Sequence, residues 1–276
     1  MHDSYLRYRN GRWWKIASGL VVVALAAYAI DRSPDRGGAT PVGLALGVVA
    51  TTLMLWLTWF GVRKRRYQPG GAPLRGWLSA HVYLGVTLLL LVPLHCAFRF
   101  GWNIHTLAYL LMTAVILSGM IGVAIYTVVP ERMTQNRPGE RLSALFEQVG
   151  ALDAESKTVA AALPTSVATA VASAIDRTRI GGSWWRQLRG GDPSRPTTRA
   201  LGIVQTAVSH EHRPADLEAL QRLLETLAAK RVVLERLGRD VQLKALLDLW
   251  LVLHVPLALA SLAAVAAHVV VVLYFR

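Results

Sequence analysis

HVYLGVTLLLLVPLH, residues 81–95, decides the fold. Thirteen uncharged residues separate its two histidines, and the stretch lies inside a longer apolar run, Gly76–Phe98. Four more such runs surround it: Trp14–Ile30, Pro41–Val62, His105–Val129 and Leu246–Phe275. An α-helix needs about 20 apolar residues to cross a hydrocarbon core of ~30 Å. Each run meets or approaches that length, so five transmembrane helices are expected. The first run is the shortest. Its end, Ala27-Tyr28-Ala29, also fits a signal-peptidase site behind a basic leader, although a retained helix is the expectation.

Composition agrees. Of 276 residues, 53% are hydrophobic, and the mean hydropathy is +0.37. The net charge of +13 suggests nucleic acid until the basic residues are placed. Arg7, Arg9, Arg12 and Lys15 precede the first run, and Arg63, Lys64, Arg65, Arg66 and Arg75 lie between runs two and three. In the opposite loops Arg32 and Arg36 are offset by Asp31 and Asp35, and only Arg99 follows run three. This asymmetry follows the positive-inside rule. It predicts a cytoplasmic N-terminus, attraction to anionic membrane lipid and no nucleic-acid partner. The expected location is a bacterial inner membrane. A single cysteine, Cys96, excludes an internal disulfide, a cysteine-ligated iron–sulfur cluster and a C-x-x-C-H haem attachment within the chain. Small apolar packing is its expected role.

Three regions are expected: transmembrane helices one to four over residues 1–129, a polar cytoplasmic helical insert over 130–245, and helix five over 246–276. Within the insert, Arg141–Val149 and Glu155–Ile175 read as helices. Thr158–Ile175, with Pro164, reads as an amphipathic or docking segment and not a sixth span. The glycine-rich stretch 181–193, which contains Trp184 and Trp185, reads as loop. From Pro214 the leucines at 217, 220, 224, 227 and 234 recur at helical spacing, and that helix is expected to run on into span five.

The histidines carry the chemistry. His254 and His268 in run five repeat the separation of His81 and His95. Fourteen residues of helix rise about 21 Å and turn by about −40° net, so both members of a pair share one face at two membrane depths. Runs three and five are parallel, because only one span lies between them. His81 should therefore meet His254, and His95 should meet His268. Histidine is expensive inside a membrane and marks function there, and neutral imidazole is a good iron ligand. The competing reading for any one histidine is a hydrogen-bonded packing residue. Gly85, one turn after His81, would admit a flat macrocycle or allow close helix packing, as would Gly119 and Gly122. Arg75 and Arg99 flank the span and are candidates for haem propionates or for plain anchoring. His105, at the mouth of run four, is a candidate contact for a quinone or the outer haem, or an interfacial residue beside Trp102. His210, His212 and the tail residue His2 are read as solvated.

Two parallel helices, each with histidines thirteen intervening residues apart and separated by a third helix, resemble the membrane dihaem b-type cytochromes. These include the ferric-reductase and NADPH-oxidase membrane domain and the cytochrome b of quinol-oxidising complexes. Leu253-His254-Val255-Pro256-Leu257 is similar to the second ligand helix of the latter. The resemblance covers runs three to five. It implies two b-type haems held by His81/His254 and His95/His268, transmembrane electron transfer, and a possible quinone. The chain departs from the ferric-reductase pattern in two ways. It shows no G-x-G-x-x-G nucleotide motif after a strand, and its fourth-to-fifth connection exceeds a hundred residues. The expected role is therefore the membrane subunit of a redox complex, working with a cytoplasmic flavin or iron–sulfur protein and a periplasmic cytochrome. The alternatives are a stand-alone quinol or ferric reductase and, in another class, a histidine-lined metal or proton transporter or scaffold.

Overall fold

The structure is a computed structural model that describes residues 8–33, 36–65, 74–137 and 139–274, the side chains of residues 64 and 65 excepted. Arg7, Arg66, Asp35 and His2 lie outside the described residues. Among the described residues all regular structure is helical, so the fold is all-α. The chain divides into two compact units, Met1–Val123 with Trp250–Arg276, and Ala124–Leu249. These limits fall inside two long helices and not at the compositional changes near residues 130 and 245.

The first unit contains α1 (Tyr8–Ile30), α2 (Pro41–Arg65) and α3 (Leu74–His95), the first part of α4 (Ile104–Asn136) and the last part of a long terminal helix, Pro214–Tyr274. All five are long and apolar enough to cross a membrane. Local chemistry sets their ends. Thr40 caps α2, its hydroxyl accepting from the Gly43 N–H at 3.0 Å, and Pro41 follows at the first helical position. Asn103 caps α4 by accepting from the Thr106 N–H at 3.0 Å. At the end of α3, Ala97 and Phe98 turn left-handed (φ 50° and 58°), and the Phe98 N–H closes the last turn on Pro93 O at 2.9 Å. Between α1 and α2, Asp31 accepts from both the N–H and the hydroxyl of Ser33. These two hydrogen bonds hold its carboxyl below the usual carboxylate range.

Small residues let the backbones approach. Ala17 and Ala24 of α1, Ala50 of α2 and Ala80 of α3 are buried with Leu57, Leu84, Leu88, Leu91 and Met112. Large apolar side chains on the outer faces, including Val22, Val48, Leu55, Leu110, Leu117 and Leu259, are exposed. An exposed apolar surface of that extent suits lipid rather than water. At one end of the unit Trp56 of α2 stacks on Trp77 of α3, with ring centres 4.8 Å apart, and Trp13 of α1 lies 6.2 Å from Trp56. The guanidinium of Arg63 covers the Trp77 ring at 5.2 Å. Residues early in α1, late in α2 and early in α3 thus share one end, as alternating antiparallel helices require. Aromatic and basic side chains together there match the composition of a membrane interface.

The second unit contains the remainder of α4, then α5 (Leu142–Ala160), α6 (Thr165–Arg177), α7 (Trp184–Leu188), α8 (Arg195–His210) and the first part of α9 (Pro214–Tyr274). Here the structure redraws the expected helices. The break lies at 161–164 and not at 150–154. Gly150 costs a helix only about 1 kcal/mol, whereas Pro164 removes a donor and cannot continue one. The glycine-rich loop holds a single turn of helix, α7. The stretch after Ser194 is helix α8, whose inner face is Thr197, Ala200, Leu201 and Val204. These pack with Val167, Val171 and Ala174 of α6 and with Leu220, Leu223 and Leu227 of α9. Leu223 therefore takes the buried place expected for Leu217 or Leu224, which are only half-buried. Leu145 and Val149 of α5 pack on Val233, Leu234 and Leu237 of α9. Between these clusters Lys230, fully buried, meets Asp153 at 2.5 Å.

Candidate functional site

The first unit gathers five histidines in two groups. His81 and His254 line a single pocket with Gly85 and Leu88 of α3, Gly119 of α4 and Ser261 of α9. The pocket has a cavity volume of about 120 Å³ and opens on one side. At the other end of the unit the rings of His95 and His268 stand 6.1 Å apart and nearly perpendicular, at 86°. The structure thus brings each α3 histidine to the α9 histidine at the corresponding depth.

Each ring is also held from behind. The Nδ1–H of His81 donates to Leu57 O at 3.2 Å, and that of His95 donates to Gly43 O at 2.7 Å. A carbonyl can only accept, so both rings carry a proton on Nδ1, which in a neutral imidazole leaves the lone pair on Nε2. His254 Nδ1 lies 2.7 Å from the Ser118 hydroxyl. The same oxygen lies 2.8 Å from Val115 O, which can only accept, so with the hydroxyl hydrogen on that carbonyl a lone pair is left to accept from the histidine. That arrangement gives His254 the same tautomer as the two α3 histidines. Trp250 lies flat on the His254 ring, 4.8 Å between centres, and donates its Nε1–H to Ser118 O at 2.7 Å.

The glycines separate by function. A Cβ on Gly85 would meet nothing nearer than Leu57 Cδ1 at 3.9 Å, so its face is open toward the pocket. Gly122 is a packing notch, since a Cβ there would fall 2.3 Å from the Trp250 ring. Gly119 sits beside His254 Cε1, which a Cβ would meet at 3.5 Å. Gly38 and Gly47 lie against His95, and a Cβ on Gly47 would reach its ring at 2.6 Å. Gly43 is equally constrained, by Gly37 O at 1.9 Å. The sequence reading missed Gly38, Gly43, Gly47 and Ser118. The G-x-x-x-G spacing of Gly43 and Gly47 in an apolar span was the available signal. Ser118 had none beyond being a hydroxyl in a membrane helix.

His105, exposed at the start of α4, is hydrogen-bonded through Nδ1 to Nδ1 of His268, with ring centres 4.4 Å apart. Arg75 and Arg99 are exposed, and neither lines the pocket. Cys96 is a half-buried free thiol that donates to Pro93 O at 3.5 Å. His212 bonds the backbone of His210 at an exposed turn. Among the described residues no group of three or more histidine, cysteine or acidic side chains is arranged to hold a metal ion. Axial ligation of a haem requires only two protein ligands and falls outside that criterion. The chain matches no protein-family model, no curated protein and no solved structure.

Proposed function

We propose that the first unit is a dihaem b-type cytochrome that carries electrons across the membrane as the membrane subunit of a redox complex. One observation carries this reading: histidines face each other across α3 and α9 at two depths, with Nε2 lone pairs turned from their anchors at His81, His95 and His254. Two features test the fit. Ser261 lines the pocket, is only 2% exposed, and its hydroxyl has no hydrogen-bond partner among the described residues. A buried polar atom of that kind fits a site completed by a ligand. The 6.1 Å between His95 and His268 matches two metal–imidazole bonds of ~2 Å plus ~1 Å from each nitrogen to its ring centre.

On this reading His81 with His254, and His95 with His268, hold the two groups. Gly85 leaves room for the flat face of the inner one. A bound haem supplies reversible one-electron chemistry, and the protein sets its potential through ligation, hydrogen bonding and low dielectric. Along α3 the two ligand positions are about 21 Å apart in rise, most of a hydrocarbon core. Arg75 and Arg99, at opposite ends of α3, are the cations offered to propionates. The N-terminus and the second unit are assigned to the cytoplasm of a bacterial inner membrane. A flavin or iron–sulfur protein is the assigned partner on that side, with a periplasmic cytochrome or a quinone on the other.

Purified protein from a haem-replete host should show a b-type reduced-minus-oxidised spectrum and two haems per chain. His81→Ala and His254→Ala should lose the same haem, and His95→Ala and His268→Ala the other. Protein without haem would overturn the reading and return the histidines to metal or proton transport.

A further inference from the structure

The four proposed ligands are not anchored alike. Those on α3 are held by main-chain carbonyls of α2, Leu57 O and Gly43 O. Those on α9 are held by side chains of α4, Ser118 for His254 and His105 for His268. α4 itself carries no ligand under the proposed function. We propose that its task is to orient both α9 histidines, with Ser118 and His105 as positioning residues that accept the Nδ1–H of His254 and His268. This rests on the dihaem reading and assigns residues that the ligand spacing does not reveal.

The Ser118 half follows from proton counting. Val115 O, 2.8 Å away, can only accept and so takes the one hydroxyl hydrogen on this assignment, which leaves a lone pair for His254 at 2.7 Å. The surroundings keep it in place. Trp250 seats in the notch of Gly122, donates to the Ser118 carbonyl and covers the His254 ring. The His105 half follows from the geometry of the outer group. The His268 ring is 6.1 Å from that of His95 and 4.4 Å from that of His105. For its Nε2 to turn toward His95, its Nδ1 must carry the proton and His105 Nδ1 must accept it. His105 Nε2 then carries the hydrogen, and at an exposed position that hydrogen can be satisfied by solvent or headgroups. Spacing agrees as well. His105 and Ser118 are thirteen residues apart on a helix antiparallel to α9, against fourteen between His268 and His254. The two rises differ by about 1.5 Å. An acceptor behind a ligating imidazole fixes its ring plane and raises its basicity, and removing one costs on the order of 10–100-fold in affinity for the bound group.

The test uses the full-length chain with bound haem and reads the two midpoint potentials separately, with the single-ligand variants as markers. Ser118→Ala should raise the potential of the haem lost in His81→Ala and leave the other unchanged. His105→Ala should raise the potential of the haem lost in His95→Ala. Ser118→Thr and His105→Asn, which keep an acceptor in place, should restore wild-type values. The inference is overturned if haem binds but both alanine variants keep wild-type potentials and low-spin spectra. It is also overturned if both shift the same haem, or if the Thr and Asn variants behave like alanine. An unmodified chain that binds no haem would overturn the proposed function and this inference together, a result distinct from all of these.

Discussion

At the scale of single residues, the two classes of glycine make opposite demands. Gly47 has a histidine ring where its side chain would be, whereas Gly85 faces open space. Gly47→Ala should push His95 off Gly43 O and halve the haem content, sparing the His81/His254 spectrum. Gly85→Ala should leave the fold intact or stabilise it by roughly 0.5–1 kcal/mol, yet lower occupancy of the inner site. Haem-to-protein ratios beside detergent melting curves separate the two. A Gly85→Ala variant with full haem content would show that the open face is not used. The pairing of the four histidines was legible in the sequence because histidine is rare in apolar helix and its spacing survives folding. Their anchors were not, since a main-chain carbonyl has no sequence signature and a lone serine has too many uses.

At the scale of elements, the five spans were legible as elements, because a bilayer imposes a length that composition alone must satisfy, although α1 begins six residues earlier and α4 ends seven later than the apolar runs. The second unit was harder to read. α8 was hidden because its inner face uses Thr197 and Ala200 beside Leu201 and Val204, too weak a contrast to stand out among arginines. The break between α5 and α6 was misplaced because Gly150 was read as ending a helix while Pro164 was left inside one. α5 is tied to α9 by Lys230 and Asp153, an ion pair whose lysine is fully buried. Asp153→Ala leaves that ammonium uncompensated and should destabilise the second unit by about 3–5 kcal/mol. Replacing both, as Asp153→Ala with Lys230→Met, should recover most of the loss. Chemical denaturation followed by far-UV circular dichroism would check this. Equal destabilisation by the single and double variants would show that the pair carries no special weight.

At the scale of the whole molecule, the proposed orientation depends on where positive charge falls in the sequence. Trp102, in the connection between α3 and α4, is fully exposed, and His212 is exposed in the second unit. In a Cys96→Ala background, Trp102→Cys should react with a membrane-impermeant maleimide on intact cells. His212→Cys should react only after permeabilisation. The reverse pattern would invert the orientation, and labelling of both from one side would refute an odd number of crossings between the two positions.

The second unit interrupts the helices that carry the proposed ligands, and that interruption has a consequence in time. His254 is translated about 160 residues after His95, a delay of some 8–30 s at ~5–20 residues per second. During that interval α2 and α3 can already pair, with His81 and His95 seated on their carbonyl anchors, while the opposite half of each site does not yet exist. A nascent chain of this design would offer two half-built, monodentate sites to any free macrocycle in the membrane. On the dihaem reading, completion of either site would wait on His254 and His268, which would make cofactor capture follow synthesis of the second unit.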